Sequence, residues 1–227
     1  RLREGARDLQ FDLSQEAAVV IGVGNVAMDV ARTLAKTVDE LKTTDIAQHA
    51  LDALAESKVK DIYLIGRRGA AQAAYTTPEV KEMGHLVDCD PIVTQEQITL
   101  DELSQQELSD RDVQRNIEIL SEYAARETGS KGRRIHFRFL LSPTEIKGNG
   151  RVASIVLEKN RLEGEPGNLK ARGTGEHIEI PTGLVFRSIG YKGIPMPGVP
   201  FDDRKGVFPN VLGRITENGA AVPGLYC

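Results

Sequence analysis

Residues 17–27, AAVVIGVGNVA, constrain this chain more than any other stretch. A short unbroken apolar run over 17–22 ends in glycine, as expected of a strand buried on both faces of a parallel sheet. The hydrophobic period then changes. Val26, Ala27, Val30, Ala31, Leu34 and Ala35 share one face at helical spacing, and Asp29 and Arg32, off that face, pair across a turn. Between strand and helix stands Gly22-Val23-Gly24-Asn25-Val26-Ala27, a GxGxxA turn. In such a turn the first glycine permits the tight bend, the second lets a pyrophosphate approach the backbone, and the small third residue lets helix and strand pack closely. The N–H groups and dipole at the helix start then favour an anion. A glycine-rich turn without a ligand is the bland alternative, and the strand-turn-helix context favours the phosphate site. Asn25 either contacts the pyrophosphate through its amide or caps the helix.

The pattern continues as an α/β chain. A second helical stretch follows, with Thr44 as its N-cap and Ala47, Ala50, Leu51 and Leu54 apolar. Residues 62–66 (IYLIG) read as the next buried strand, reached by a right-handed crossover. Pro78 suits the first turn of a short helix over 78–83. Residues 101–127 are helical, with a stripe of Val113, Ile117, Leu120 and Ala124. Strands are expected over 134–141, 152–158 and 184–189, with residues 177–180 alternating and 162–175 a polar, glycine-rich loop. The Gly/Pro cluster over 190–198 marks a domain boundary, and 201–227 show turns without a helix. The fold class expected is α/β: a Rossmann-like parallel sheet with an antiparallel β-meander. Its parts are a linker (1–16), a dinucleotide domain (17–190) and a separate C-terminal segment (191–227).

The end of the second strand decides which dinucleotide. An NAD site places a carboxylate there to accept from the ribose 2′-hydroxyl. Here the residues are Gly66-Arg67-Arg68-Gly69. Two guanidinium forks bind a 2′-phosphate bidentately, where a carboxylate would repel it. NADP is therefore preferred over NAD, against the bland reading of a solvated basic pair.

Composition excludes other classes. The net charge of −4 over 227 residues offers no nucleic-acid surface. No apolar run approaches the roughly 20 residues needed to span a bilayer. Arg1 opens the chain without an apolar signal region, and its not being Met leaves room for a removed leader or upstream domain. Cys89 and Cys227 are too few for a disulfide framework, and no spacing suggests a metal site. His49, His85, His136 and His177 stand apart in sequence and are read as structural or exposed. No nucleophile–base or carboxylate pair offers a chemistry of its own, so no catalytic residue is assigned.

Several segments together resemble one family. VVIGVGNVAMDVARTLAK, TTDIAQHALDAL, GRRGAAQAAYTTPEVKEM, FLLSPTEIKGNG and RSIGYKGIPMPGVPFDDRKGVFPNVLGRI resemble, in order, segments of the ferredoxin–NADP reductases of the adrenodoxin reductase type. The resemblance covers nearly the whole chain after the linker. It implies that backbone around Val23, Gly24, Asn25 and Val26 binds the pyrophosphate of NADP(H), and that Arg67 and Arg68 bind the 2′-phosphate. It places Glu79 near the nicotinamide end. From the residues alone, Glu79 is an exposed acid in a first helical turn, favoured by the dipole.

The resembled enzymes also carry FAD and pass electrons to a ferredoxin-type iron–sulfur protein. Their FAD-binding segments, an N-terminal GxGxxG and a later GWxxRGPTG-like pattern, are not in this sequence. The resemblance therefore implies an NADP(H)-binding portion, with FAD belonging to the full-length protein only and residues 191–227 a remnant of the FAD domain. It implies a cytoplasmic protein, or a mitochondrial matrix one in a eukaryote. Two other readings stay open: a non-catalytic NADP-sensing module, and the NADPH-binding part of a glutamate synthase-type flavoprotein.

Overall fold

The structure, a computed structural model, describes residues 11–227. The expected linker 1–16 lies for its first ten residues outside the described residues. The chain divides into two compact units, the second being Ile189–Cys227.

The first unit is built on the predicted strand-turn-helix. Strand β1 (Ala17–Ile21) leads through the glycine turn into helix α1 (Asn25–Ala35). Helices α2 (Val38–Leu41) and α3 (Gln48–Ala55) then lead to β2 (Asp61–Ile65), which pairs with β1 in parallel. After α4 (Thr77–Met83) and β3 (Cys89–Ile92) come α5 (Gln95–Ile98), α6 (Glu102–Gln106) and the long α7 (Arg111–Ala124). Strand β4 (Arg133–Arg138) returns to the sheet beside β2, and β8 (Leu184–Arg187) closes it beside β1. The order is β3-β4-β2-β1-β8, and every pairing is parallel.

The two faces of this sheet have different covers. Ala18, Val20, Ile62, Leu64, Ile135 and Phe137 face a helical layer supplied by α1, α4 and α7. Ala27, Ala31 and Ala35 let α1 lie close to the strands. Val19 and Ile65 face the other way, onto Ile155, Leu157 and Ile180. Those three belong to an antiparallel meander of β5 (Leu141–Gly148), β6 (Val152–Glu163) and β7 (Lys170–Pro181). Full burial of such side chains contributes roughly 1.5–3 kcal/mol each.

Four expectations are corrected. Thr44 does not cap α3; Ala47 holds the N-cap position without a side-chain bond, and Thr44 Oγ1 donates to Leu41 O at 2.7 Å. The capped helix in this region is α2, where Thr37 and Glu40 form a reciprocal capping box. The α7 stripe is broader than expected: Leu120 is buried and Ile117 and Ala124 pack against the core, but Asn116, Ile119 and Tyr123 are buried with them. There the Tyr123 hydroxyl donates to Val80 O at 2.8 Å, a bond that ties the helix to α4 beside the buried Ile119 and Leu120. The expected strand over 134–141 breaks at Phe139-Leu140, with Leu140 in the left-handed region (φ 56°), where the chain leaves the parallel sheet for the meander. The expected loop 162–175 is largely the far end of the β6/β7 hairpin, paired from Asn160↔Gly173 to Glu163↔Lys170.

The second unit is a small antiparallel sheet, β9 (Asn210–Val211), β10 (Arg214–Glu217) and β11 (Ala220–Tyr226). Asn218 (φ 49°) and Gly219 (φ 84°) make the tight turn between β10 and β11, a strand signal in residues read only as turns. Ile215 is buried, and Phe201 packs edge-on against Phe208 with ring centroids 5.1 Å apart.

Candidate functional site

The glycine turn sits at the C-terminal end of β1, and its geometry explains its composition. Gly22 has φ 130°, and a Cβ there would stand 2.0 Å from Ser188 O. The first glycine is thus required by the approach of the chain leaving β8 as well as by the bend. Gly24 is the N-cap position of α1, and its Cβ would meet nothing closer than Ala74 at 4.0 Å. No side chain among the described residues caps α1, and no acid lies in its first turn. An uncapped helix start of this kind leaves N–H groups for an anion to satisfy.

Asn25 does not cap α1, whose N-cap position is Gly24. Its Oδ1 accepts from Thr76 N at 2.9 Å, so it ties the turn to the loop after β2. Two backbone features reinforce that tie: Ala74 N donates to Val23 O at 3.0 Å, and Gly24 bridges Ala74. Val23 and Gly66 are also in contact, since a Cβ at Gly66 would lie 3.2 Å from Val23. Val26, expected on the buried face of α1, is instead 53% exposed at the open end of the helix.

Arg67 and Arg68 leave the sheet immediately after β2. Arg67 is exposed and Arg68 half-buried, its guanidinium 3.3 Å from Gln72 O. Among the described residues neither pairs with a carboxylate. The loop around them is held by its neighbours. Gln72 Oε1 accepts from Gly69 N at 3.0 Å, while its amide donates to Ser104 Oγ and Glu107. Asn160 Nδ2 donates to Arg67 O at 2.8 Å, and Leu140 N donates to Arg68 O at 3.0 Å. Gln72 is local, three residues from Gly69, but Ser104, Glu107, Leu140 and Asn160 are distant along the chain and gave no signal in sequence.

Glu79 lies in the first turn of α4 and is half-buried, not exposed. Its Oε2 stands 3.0 Å from the Arg32 guanidinium without the angle of a hydrogen bond. Arg32 also contacts Asp29, the expected pair, and Glu82. One arginine on α1 therefore faces three carboxylates and binds α1 to α4. The i,i+3 spacing gave Asp29; nothing local pointed to Glu79 or Glu82.

His136 is also paired where sequence showed no partner. Its Nε2 lies 2.7 Å from Asp61 Oδ1, and its ring stacks on Tyr63. The cluster sits at the opposite end of β2 from the arginines, so its role is structural. The Cys89 thiol is buried, and burial pushes it up to about 12, out of reach of redox chemistry at neutral pH.

No family model matches the chain. NADPH-ferredoxin reductase FprA of Mycobacterium tuberculosis strain H37Rv is 46% identical over 207 residues, 90% of this chain and 45% of the relative. The mitochondrial NADPH:adrenodoxin oxidoreductase of Salvelinus fontinalis is 43% identical over 232 residues, 97% of this chain and 46% of the relative. A solved structure of Mycobacterium tuberculosis FprA in complex with NADPH superposes with a TM-score of 0.84 at 45% identity, covering 95% of this chain and 47% of that one. The chain is homologous to the NADPH-ferredoxin and NADPH:adrenodoxin reductases. It spans about half the length of the curated reductases it matches. The mixed α/β architecture, with its parallel sheet and antiparallel additions, is that of the FprA reductase. No helix among the described residues is long and apolar enough to cross a membrane.

Proposed function

We propose that this chain is the NADP(H)-binding portion of a flavoprotein reductase that passes electrons between NADPH and a ferredoxin-type iron–sulfur protein. One observation carries the reading: two arginines without carboxylate partners among the described residues stand at the end of β2, and their loop is bonded to the turn that opens the uncapped α1. A dinucleotide phosphate needs an N–H cradle, and a 2′-phosphate needs fixed cations. The residues present fit both.

In this reading backbone at Gly22, Val23, Gly24, Asn25 and Val26 holds the pyrophosphate. Arg67 and Arg68 take the 2′-phosphate, with Asn160, Leu140 and Gln72 fixing their backbone. Glu79 faces the nicotinamide end, held by Arg32. When bound, NADPH would supply a hydride, and the FAD of the proposed flavoprotein would be its acceptor. The chain's own residues bind and orient; none of them is assigned a catalytic step. The protein works in the cytoplasm, or in the mitochondrial matrix of a eukaryote, as the mitochondrial relatives support.

Expressed with its natural flanking sequence, the protein is expected to purify yellow and to reduce cytochrome c through ferredoxin at the expense of NADPH. Replacing Arg67 and Arg68 by Ala is expected to raise the KM for NADPH by about tenfold or more, since charge-assisted hydrogen bonds contribute roughly 1.5–3 kcal/mol each. A colourless protein that binds NADPH contradicts the reductase reading and favours a sensor.

A further inference from the structure

The two ends of the arginine turn are held in different ways. Toward β2 the bonds are between main-chain groups. Gly66 N donates to Arg138 O at 2.8 Å, and Leu141 N and Leu140 N donate to Gly66 O and Arg68 O, each at 3.0 Å. Asn160 of β6 donates to Arg67 O between them. The far end, at Gly69, rests on one side chain. Gly69 N donates to Gln72 Oε1 at 3.0 Å, and a Cβ on Gly69 would lie 2.8 Å from that oxygen. The Arg68 guanidinium reaches the carbonyl of the same glutamine. Gln72 is buried, so its side chain depends on protein partners.

What orients Gln72 is remote in sequence. An amide has a donor end and an acceptor end of nearly the same shape, so its partners decide which way it faces. Gln72 Nε2 donates to Ser104 Oγ at 3.0 Å and to Glu107 Oε2 at 2.8 Å. A hydroxyl both donates and accepts, so Ser104 suits either orientation. An ionised carboxylate only accepts. Glu107 therefore draws the NH2 group to itself and leaves Oε1 for Gly69. Its other oxygen accepts from Gly167 N at 2.9 Å, in the turn that joins β6 to β7. Among the described residues Glu107 joins no ion pair, so both oxygens serve neutral donors. A glutamine in its place offers one acceptor to two donors.

The β6/β7 hairpin thus holds the arginine turn at two points: directly, through Asn160 at Arg67, and through Glu107 and Gln72 at Gly69. Two guanidinium forks converge on one phosphate only when the backbone that carries them is fixed by its own hydrogen bonds. We propose that Glu107 is a positioning residue for 2′-phosphate recognition. By orienting Gln72 and docking the hairpin turn it locks the Gly69 end of the arginine turn, and so sets the preference for a 2′-phosphorylated nucleotide. This inference rests on the reading of Arg67 and Arg68 as the 2′-phosphate site.

The test is calorimetry with 2′-phospho-AMP and AMP on the unaltered chain, Glu107→Gln and Gln72→Met, read as the ratio of the two affinities. Glu107→Gln removes a negative charge, and Coulomb attraction alone would then raise the ratio in favour of the more highly charged ligand. Positioning gives the opposite sign. The ratio is expected to fall about fivefold in Glu107→Gln, as the loss of one hydrogen bond does, while AMP affinity stays level. Gln72→Met changes no charge and is expected to lower the ratio at least as far. Should one variant fail to fold, the other decides. A ratio that rises or holds in a folded variant overturns the proposal, and so does an equal loss for both ligands, which would make the contact structural only. An unaltered chain that does not distinguish the two ligands sinks the 2′-phosphate reading and this inference with it. A preference that survives in folded Glu107→Gln sinks this inference alone.

Discussion

Asp61 opens β2 with both oxygens bonded to Arg134 at 2.7 Å and with His136 Nε2 at 2.7 Å. The Arg134 guanidinium, working against the burial of the carboxyl and aided by His136, lowers Asp61 from 3.8 to about 2. Burial also lowers His136, which disfavours its charged form. A carboxyl held lower in the folded than in the unfolded chain stabilises above its unfolded value and loses that contribution as pH falls through its folded value. Asp61→Asn is therefore expected to cost up to about 2 kcal/mol at neutral pH. Denaturant melts of the two proteins should converge as pH falls from 3.8 toward about 2. A constant difference across that range would mean that Asp61 acts by packing. This cluster was illegible in sequence because Asp61 and His136 lie 75 residues apart and meet only through the β2–β4 register. The arginine turn was legible because its chemistry is carried by adjacent residues.

At the scale of elements, β1, its turn and α1 were readable because strand, glycines and helix are contiguous and each has a local signature. Their exact tightness was not. Gly22→Ala would place a methyl 2.0 Å from Ser188 O at a φ of 130°, which is expected to destabilise the fold by about 3 kcal/mol through overpacking and backbone strain. Gly24→Ala meets only Ala74 at 4.0 Å, and its stability should stay near the parent's while ligand approach to the backbone suffers. Thermal melts of the two variants check this; equal losses would show that Ser188 yields. The outer half of the β6/β7 hairpin escaped notice for a different reason. Asn160, Leu162 and Leu169 turn inward there among charged residues and glycines, so the apolar alternation that marks a strand is too sparse to read. Leu140 escaped because a left-handed leucine has no sequence signal, and the bonds that hold it come from Arg68 and Asn160.

At the scale of the whole molecule, the two units differ in how well they bury themselves. The parallel sheet has a cover on each face, whereas in residues 189–227 Ile215 is the buried hydrophobic side chain. Tyr191, Ile194, Met196 and Leu212 are exposed there, Leu212 at 99%. Segments with few buried apolar contacts open at low free-energy cost. Amides over 207–225 are therefore expected to exchange much faster than those of Ala17–Ile21 in a monomeric sample. Equal protection in a demonstrated monomer would mean that the segment is stabilised by contacts of its own. The central claim is that the chain reads a 2′-phosphate through Arg67 and Arg68, and calorimetry with 2′-phospho-AMP and AMP tests it most directly. The account predicts that 2′-phospho-AMP binds at least about tenfold more tightly than AMP, as one charge-assisted bond alone would give; equal affinities would contradict it.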